Sequence, residues 1–442
     1  MAVPGTMRAL LDALQGDSLS AEAAVRDCLD RIAKLEADVQ AWAWLDPDAA
    51  LAAARMADGR AEKGPLHGIP FGIKDVLDTG DMPTTYGSPI YEGHRPCADA
   101  AAVAAIRDAG GIILGKTVTC EFAGGLPSRT RNPRALGHTP GGSSSGSAAA
   151  VAAGMIPVAL GTQTAGSIIR PASFCGVVGY KPTFGRINRA GLKPFSESVD
   201  TIGLFGRCVD DVALAAAAIG EHPDLDENFA SAPARILLCR TDMWRVAEHD
   251  GRQALENAAA LISQAGGTLL ESPLPFACVE VIAAGAVVIA TEARRAFRQE
   301  LRTAPEHLSG QMHAFLARGE AGRSGRYGQA VAILEGARLD LDGLLGGADV
   351  IMTLSAPGEA PQGFASTGDA TFAMPWTMLH APAITIPGLS GSRGLPVGIQ
   401  LIGRRHADAS LLKIARWVEA VLSVQTRRAA NKALPAARIH PD

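Results

Sequence analysis

The chain has 442 residues, 47% of them hydrophobic and 19% charged, with a formal net charge of -4. That composition excludes a disordered chain, and a weakly acidic balance without an evident basic cluster gives no reason to expect a nucleic-acid partner. The seven cysteines (Cys28, Cys97, Cys120, Cys175, Cys208, Cys239 and Cys278) are odd in number and contain no C-x-x-C pair, which points to a reducing compartment and to thiols used as core fillers.

In chain order, 6–60 reads as helical. Ser20 is placed to cap a helix whose apolar positions Ala24, Cys28, Ile32 and Leu35 recur at three- and four-residue steps, and 49–56 is a further run of strong helix formers. The texture changes at Gly68. From there to about 205, short apolar runs are bounded by Gly or Pro. Those at 69–73, 111–114 and 156–160 read as buried strands, with helices at 99–109 and 147–153 between them. Such alternation predicts an α/β sheet. Residues 208–345 are helix-rich, with one strand near 236–239 and polar breaks at 221–233 and 303–325. Strands return at 350–354, 383–386 and 397–402, followed by a closing helix at 407–422. Early and late strands share one texture, so a single sheet built from both ends of the chain is expected. The whole of 1–442 then forms one domain, with 208–345 as a helical insertion shaping the substrate pocket. The first residues, MAVPGTMRALLDAL, lack a basic region followed by an apolar one, and every Ala-rich run is broken before about 18 residues. A cytoplasmic protein with no membrane partner is the expectation.

The segment TPGGSSSGS at 139–147 has no side chains with which to build a core, but it can bring backbone and hydroxyls close to a ligand. Its ordinary reading is a flexible linker. Against that, it is short and runs into a helix of Ala and Val. Two motif matches are decoys. GSSSG at 142–146 fits the nucleophile-elbow pattern around Ser144, yet no apolar strand precedes it. GGIILGKT at 110–117 fits the phosphate-loop pattern, yet its loop positions are filled by Ile112, Ile113 and Leu114, which read as the strand itself.

A second serine follows the strand at 156–160, in GTQTAGS at 161–167. At a strand-to-helix turn several backbone N–H groups are unpaired, so those of Thr164, Ala165, Gly166 and Ser167 could converge on a developing oxyanion, each such donor being worth roughly 10²–10³ in rate. The bland alternative is that Ser167 only caps a helix. Lys74, in GIPFGIKD at 68–75, is led into by apolar residues. Desolvation there lowers an ammonium pKa and frees a neutral amine near pH 7, although pairing with Asp75 or Asp78 is the commoner fate of such a lysine.

Together these pieces resemble the amidase signature family. The resemblance rests on GIPFGIKD at 68–75, NP at 132–133, PGGSSSGSAAAVAAG at 140–154, GSIIRPASFCGVVGYKPT at 166–183, PAITIPG at 382–388 and LPVGIQLIG at 395–403. It implies a single large mixed, mostly parallel twisted sheet covered by helices on both faces. It implies Ser167 as nucleophile, Ser143 as bridging serine on a cis peptide bond, and Lys74 as base. The backbone at Thr164, Ala165 and Gly166 forms the oxyanion hole, and Gly124, Gly125 and Gln163 lie on the substrate-binding side. No metal or cofactor is required.

The activity implied is hydrolysis of a small-molecule carboxylic or urea-like amide through an acyl-enzyme, by a protein whose default assembly is a homodimer. The runner-up is the amidase subunit of a transfer-RNA amidotransferase. Further alternatives are an α/β-hydrolase-type esterase using Ser144 and a non-catalytic relative. The chain departs from the family pattern at Gln163, where Asp is common, and at Ile169, where Arg is usual and Arg170 comes next. Ser145 adds a side chain within the signature, and Thr377 and His380 replace the usual Asn and Gly.

Overall fold

The centre of the molecule is made of strands with no polar face. In the computed structural model, which describes residues 5–227, 232–320, 325–345 and 347–433, eleven strands form one sheet. They are β1 (Trp42–Leu45), β2 (Pro70–Lys74), β3 (Ile112–Thr117), β4 (Val158–Gln163), β5 (Val178–Lys181), β6 (Thr201–Gly206), β7 (Arg235–Leu238), β8 (Thr268–Leu270), β9 (Val350–Leu354), β10 (Ala383–Ser390) and β11 (Pro396–Ile402). Every residue of β2, β3, β4, β5 and β6 is buried, so both faces of this region are covered, which is why these strands read as continuous apolar runs rather than alternating ones.

The spatial order is β1-β3-β2-β4-β6-β5-β10-β11-β9-β7-β8. The last strands, β10 and β11, therefore pair into the middle, with β10 against β5, as expected for a sheet assembled from both ends of the chain. The sheet is mixed, but the expected parallel majority gives way. Four pairings are parallel (β2 with β3 and β4, β7 with β8 and β9) and six antiparallel. Burial pattern carries no strand direction. Here β10 returns as β11 through a tight turn in which the Gly391 N–H donates to the Leu395 carbonyl, and β5 doubles back on β6.

The helical reading of the N-terminal region holds with one exception. Ser20 accepts the Ala23 N–H at 3.1 Å and caps the helix Ala21–Val39, which buries Ala24, Cys28 and Ile32. Trp42–Leu45, however, is an edge strand lying antiparallel to β3. Its two tryptophans and its position beyond the helix end mark a β segment too short for periodicity to reveal. β5, β6 and β8 were likewise not anticipated. The helices Cys278–Ala296 and Arg326–Leu344 pack together in a second apolar cluster, which reaches Ile169, Phe195 and Trp376. Among the described residues no helix is long and apolar enough to cross a membrane.

Candidate active site

β2 delivers Lys74 at its last position, beside the parallel strand β4, with Ile73 opposite Leu160. The glycine-serine segment crosses the ends of these strands before entering the helix Ser145–Ala152. It lies so close to neighbouring backbone that a Cβ on Gly146 would stand 2.3 Å from the Ala41 carbonyl oxygen and 2.4 Å from the Val118 nitrogen. The segment is thus packed backbone, not a linker. The peptide between Gly142 and Ser143 is cis.

Lys74 is fully buried. Its Nζ lies 2.8 Å from Ser143 Oγ and 2.7 Å from Thr162 Oγ1, and among the described residues it forms no ion pair with a carboxylate. Burial pushes its pKa down to about 7, against a weaker upward pull from Cys120 and Asp200. The commoner fate, pairing with Asp75 or Asp78, is not adopted. Asp75 instead lies 3.4 Å from Lys116, and Asp78 accepts the Tyr86 hydroxyl. Thr162 as a second partner of Lys74 was not foreseen, because only the β2–β4 register brings it there.

Arg170 supplies the contact left open by Ile169. It is buried, its Nη2 donates to the Gly142 carbonyl at 2.5 Å and to Thr367 Oγ1 at 3.0 Å, and burial draws its pKa down to about 10. The guanidinium therefore clamps the peptide unit that carries Ser143.

Ser167 follows β4 and lies just before the helical segment that holds Arg170. Its hydroxyl makes no hydrogen bond among the described residues, and the N–H groups of Thr164, Ala165, Gly166 and Ser167 find no protein acceptor there. Ser143, Thr164, Ala165 and Ser167 all border one cavity of about 530 Å³, together with Gly124 and Gly125. Phe195, Ile289, Phe315 and Met374 supply its apolar wall. Gly124 is required to be small, since a Cβ there would meet the Phe195 ring at 2.4 Å.

Gln163 is not on that wall, which corrects its expected place on the substrate side. Its Oε1 accepts the N–H groups of Ile168 at 2.8 Å and Ile169 at 3.0 Å, and its Nε2 donates to Thr377 Oγ1 at 2.8 Å. Thr377 in turn reaches the Ala165 carbonyl at 2.7 Å. The Gln163 and Thr377 departures are thus one linked pair bracing the turn from behind. From the other side, Thr164 Oγ1 donates to Asp200 Oδ1 at 2.5 Å. Asp200 also accepts the N–H groups of Phe195 and Ser196, and burial raises its pKa to about 6.

The remaining expectations resolve into structural roles. Ser144 Oγ donates to the Thr162 carbonyl at 3.1 Å and accepts the Thr162 N–H at 3.2 Å, so its hydroxyl is occupied by the β4 backbone. Ile112–Thr117 is strand β3, and Lys116 donates to the Leu77 carbonyl at 2.6 Å, which removes the phosphate-loop reading. Ser145 lies 2.6 Å from Ser128 Oγ and does not line the cavity. His380 has φ of 60°, the left-handed conformation for which Gly is the usual choice. Its ring stacks on Phe184 at 4.2 Å, and burial beside Arg338 lowers its pKa to about 3.

The family model described as Amidase matches residues 23–412. This chain belongs to the amidase family. Among curated members of the family, a Glutamyl-tRNA(Gln) amidotransferase subunit from Chloroflexus aggregans is 35% identical, the match covering 96% of this chain and 97% of that one. A crystal structure described as an amidase superposes with a TM-score of 0.86 at 29% identity, covering 94% of this chain and 99% of that one. Native peptide amidase from Stenotrophomonas maltophilia superposes with a TM-score of 0.79 at 28% identity, over 96% and 97% of the two chains. Family membership and these amide-cleaving neighbours make the protein an amidohydrolase.

Proposed function

We propose that the protein cleaves a carboxylic amide through an acyl-enzyme on Ser167. The observation that carries this reading is a buried lysine without a carboxylate partner, hydrogen-bonded to Ser143 at the edge of a cavity that Ser167 also borders. Neutral Lys74 takes a proton from the Ser143 hydroxyl, which takes one from Ser167, and Ser167 Oγ attacks the carbonyl carbon. The free N–H groups of Thr164, Ala165 and Gly166, with that of Ser167, receive the oxyanion. The C–N bond breaks as protonated Lys74, again through Ser143, gives the departing nitrogen its proton. Water then hydrolyses the ester by the same path in reverse. Gly124 and Gly125 lie against the acyl portion of the substrate. Every step uses groups of this chain, the amide substrate and water.

Two forms of this chemistry compete. One is a free-standing amidohydrolase releasing acid and ammonia or amine. The other is the amidase component of an amidotransferase, where the ammonia passes to a partner chain. The curated relatives favour the second, since nearly full-length similarity joins this chain to proteins named for that role. On that reading the assembly is heteromeric, and the homodimer expectation is set aside.

Labelling with a fluorophosphonate followed by peptide mass spectrometry tests the shared mechanism, with the adduct expected on Ser167. An adduct on Ser144, with Ser167→Ala still active, would move the protein to the esterase reading. Ammonia release from glutamine that depends on added amidotransferase subunits selects the heteromeric form. Equal turnover of simple amides without them selects the free-standing one.

A further inference from the structure

The helix Cys278–Ala296 and the short helix Arg298–Thr303 that follows it enclose a cavity of about 280 Å³, apart from the catalytic one. Arg294, Arg295, Arg298 and Arg302 all line it, on a chain whose net charge is -4. Only part of this positive charge is balanced. Arg294 pairs with Glu320, and the Arg295 guanidinium lies 4.7 Å from the centre of the Tyr327 ring. The nearby carboxylates on the same helices are engaged elsewhere. Glu292 accepts the Tyr327 hydroxyl at 2.6 Å and Glu300 the Tyr91 hydroxyl at 2.6 Å, and Glu300 also pairs with Lys193. Among the described residues the guanidinium groups of Arg298 and Arg302 have no partner.

Helix electrostatics accounts for only some of these residues. Arg294 and Arg295 occupy the last turn of their helix, where the dipole favours cations. Arg298 stands at the first position of the next helix, where the dipole opposes one. A second observation comes from the same wall. Thr291 lines the cavity, is 4% exposed, and among the described residues its hydroxyl has no hydrogen-bond partner. Buried hydroxyls are ordinarily satisfied. Several guanidinium forks lining a small concave space, with an unpartnered hydroxyl in its wall, match a tetrahedral, multiply charged oxyanion.

We propose that this cavity binds a small ligand through its phosphoryl group. The test is calorimetric titration of the full chain with pyrophosphate at low ionic strength. One site is expected, weakened roughly tenfold or more in the double variant R298A/R302A, as loss of charge-assisted hydrogen bonds requires. Thr291→Val, which keeps every charge, is expected to weaken binding a few-fold. These exposed arginines lie outside the catalytic cavity, so melting temperature and basal amide hydrolysis remain at wild-type values and show that the variants are folded. Absence of binding, or binding unaltered in the double variant, overturns the proposal. Tighter binding of a short single-stranded RNA through the same arginines, with pyrophosphate unable to compete, would overturn it in favour of a nucleic-acid backbone.

Discussion

The ends of β2 and β5 each hold a fully buried lysine, Lys74 and Lys181, and burial brings the pKa of both down to about 7. What differs is the partner. Lys181 Nζ lies 2.5 Å from the Ala381 carbonyl and 3.0 Å from the Pro182 carbonyl. Lys74 faces the hydroxyls of Ser143 and Thr162. A carbonyl only accepts, so Lys181 can hold its proton in place but among the described residues has no O–H partner from which to take one. A hydroxyl both donates and accepts, and that of Ser143 opens on the catalytic cavity. Desolvation therefore supplies a neutral amine at either place, and the type of neighbour decides whether that amine can act.

The contrast is broken most directly by mutation. Ser167→Ala and Lys74→Met are each expected to lower kcat/KM for amide hydrolysis by about 10⁴-fold or more, as removal of members of a catalytic unit does. Lys181→Met should lower thermal stability while leaving kcat of the folded protein nearly unchanged. Equal loss of activity in a folded Lys181→Met protein would erase the distinction. Next comes Arg170→Met, which frees the Gly142 carbonyl. A fall of roughly 10²-fold in kcat with little change in KM is expected of a group that positions Ser143, with partial recovery in Arg170→Lys. A change confined to KM would instead place Arg170 on the substrate.

The pH profile sharpens the comparison. With the neutral amine of Lys74 as the proposed base, kcat/KM should rise about tenfold per pH unit below about 7 and level off above it. A profile flat from pH 5 to pH 8 would contradict this. Stability follows the same groups with a definite sign. Both folded pKa values lie below the ordinary lysine value of 10.5, so the unfolded chain binds more protons between about 7 and 10.5. Stability should therefore rise with pH across that window, and Lys74→Met should remove that residue's share of the slope. The smallest effect is expected of Gln163→Ala, which strands the N–H groups of Ile168 and Ile169. It should destabilise by about 1–3 kcal/mol and lower activity a few-fold, with KM little changed. A large rise in KM would restore Gln163 to the substrate side.

The residues most legible in the chain were those whose size or chemistry tolerates no substitute. Gly146 fits between two backbones, and Lys74 ends an apolar strand, so both stand out from their surroundings. The partners that complete the site did not. Thr162 depends on strand register, Thr377 meets Gln163 across 214 residues, and Asp200 meets Thr164 across 36. Such bonds leave no local pattern. Strand direction was hidden for the same reason, which is how an antiparallel majority came to replace a parallel one. The arginine cavity leaves no basic run in the sequence because Glu292 and Glu300 dilute the charge along the chain, although in space they bond to Tyr327 and Tyr91.

Lys74, Ser143 and Ser167 all come from 74–167, whereas Ala286, Ile289, Gln311 and Phe315 line the same cavity as Ser143 and Ser167 from a different stretch of chain. On the proposed roles, reactivity and taste are thereby inherited separately. Random variation confined to those four positions can retune which acyl groups are admitted while the proton path keeps its spacing, so a modest library there is a short route to new substrates on an unchanged engine.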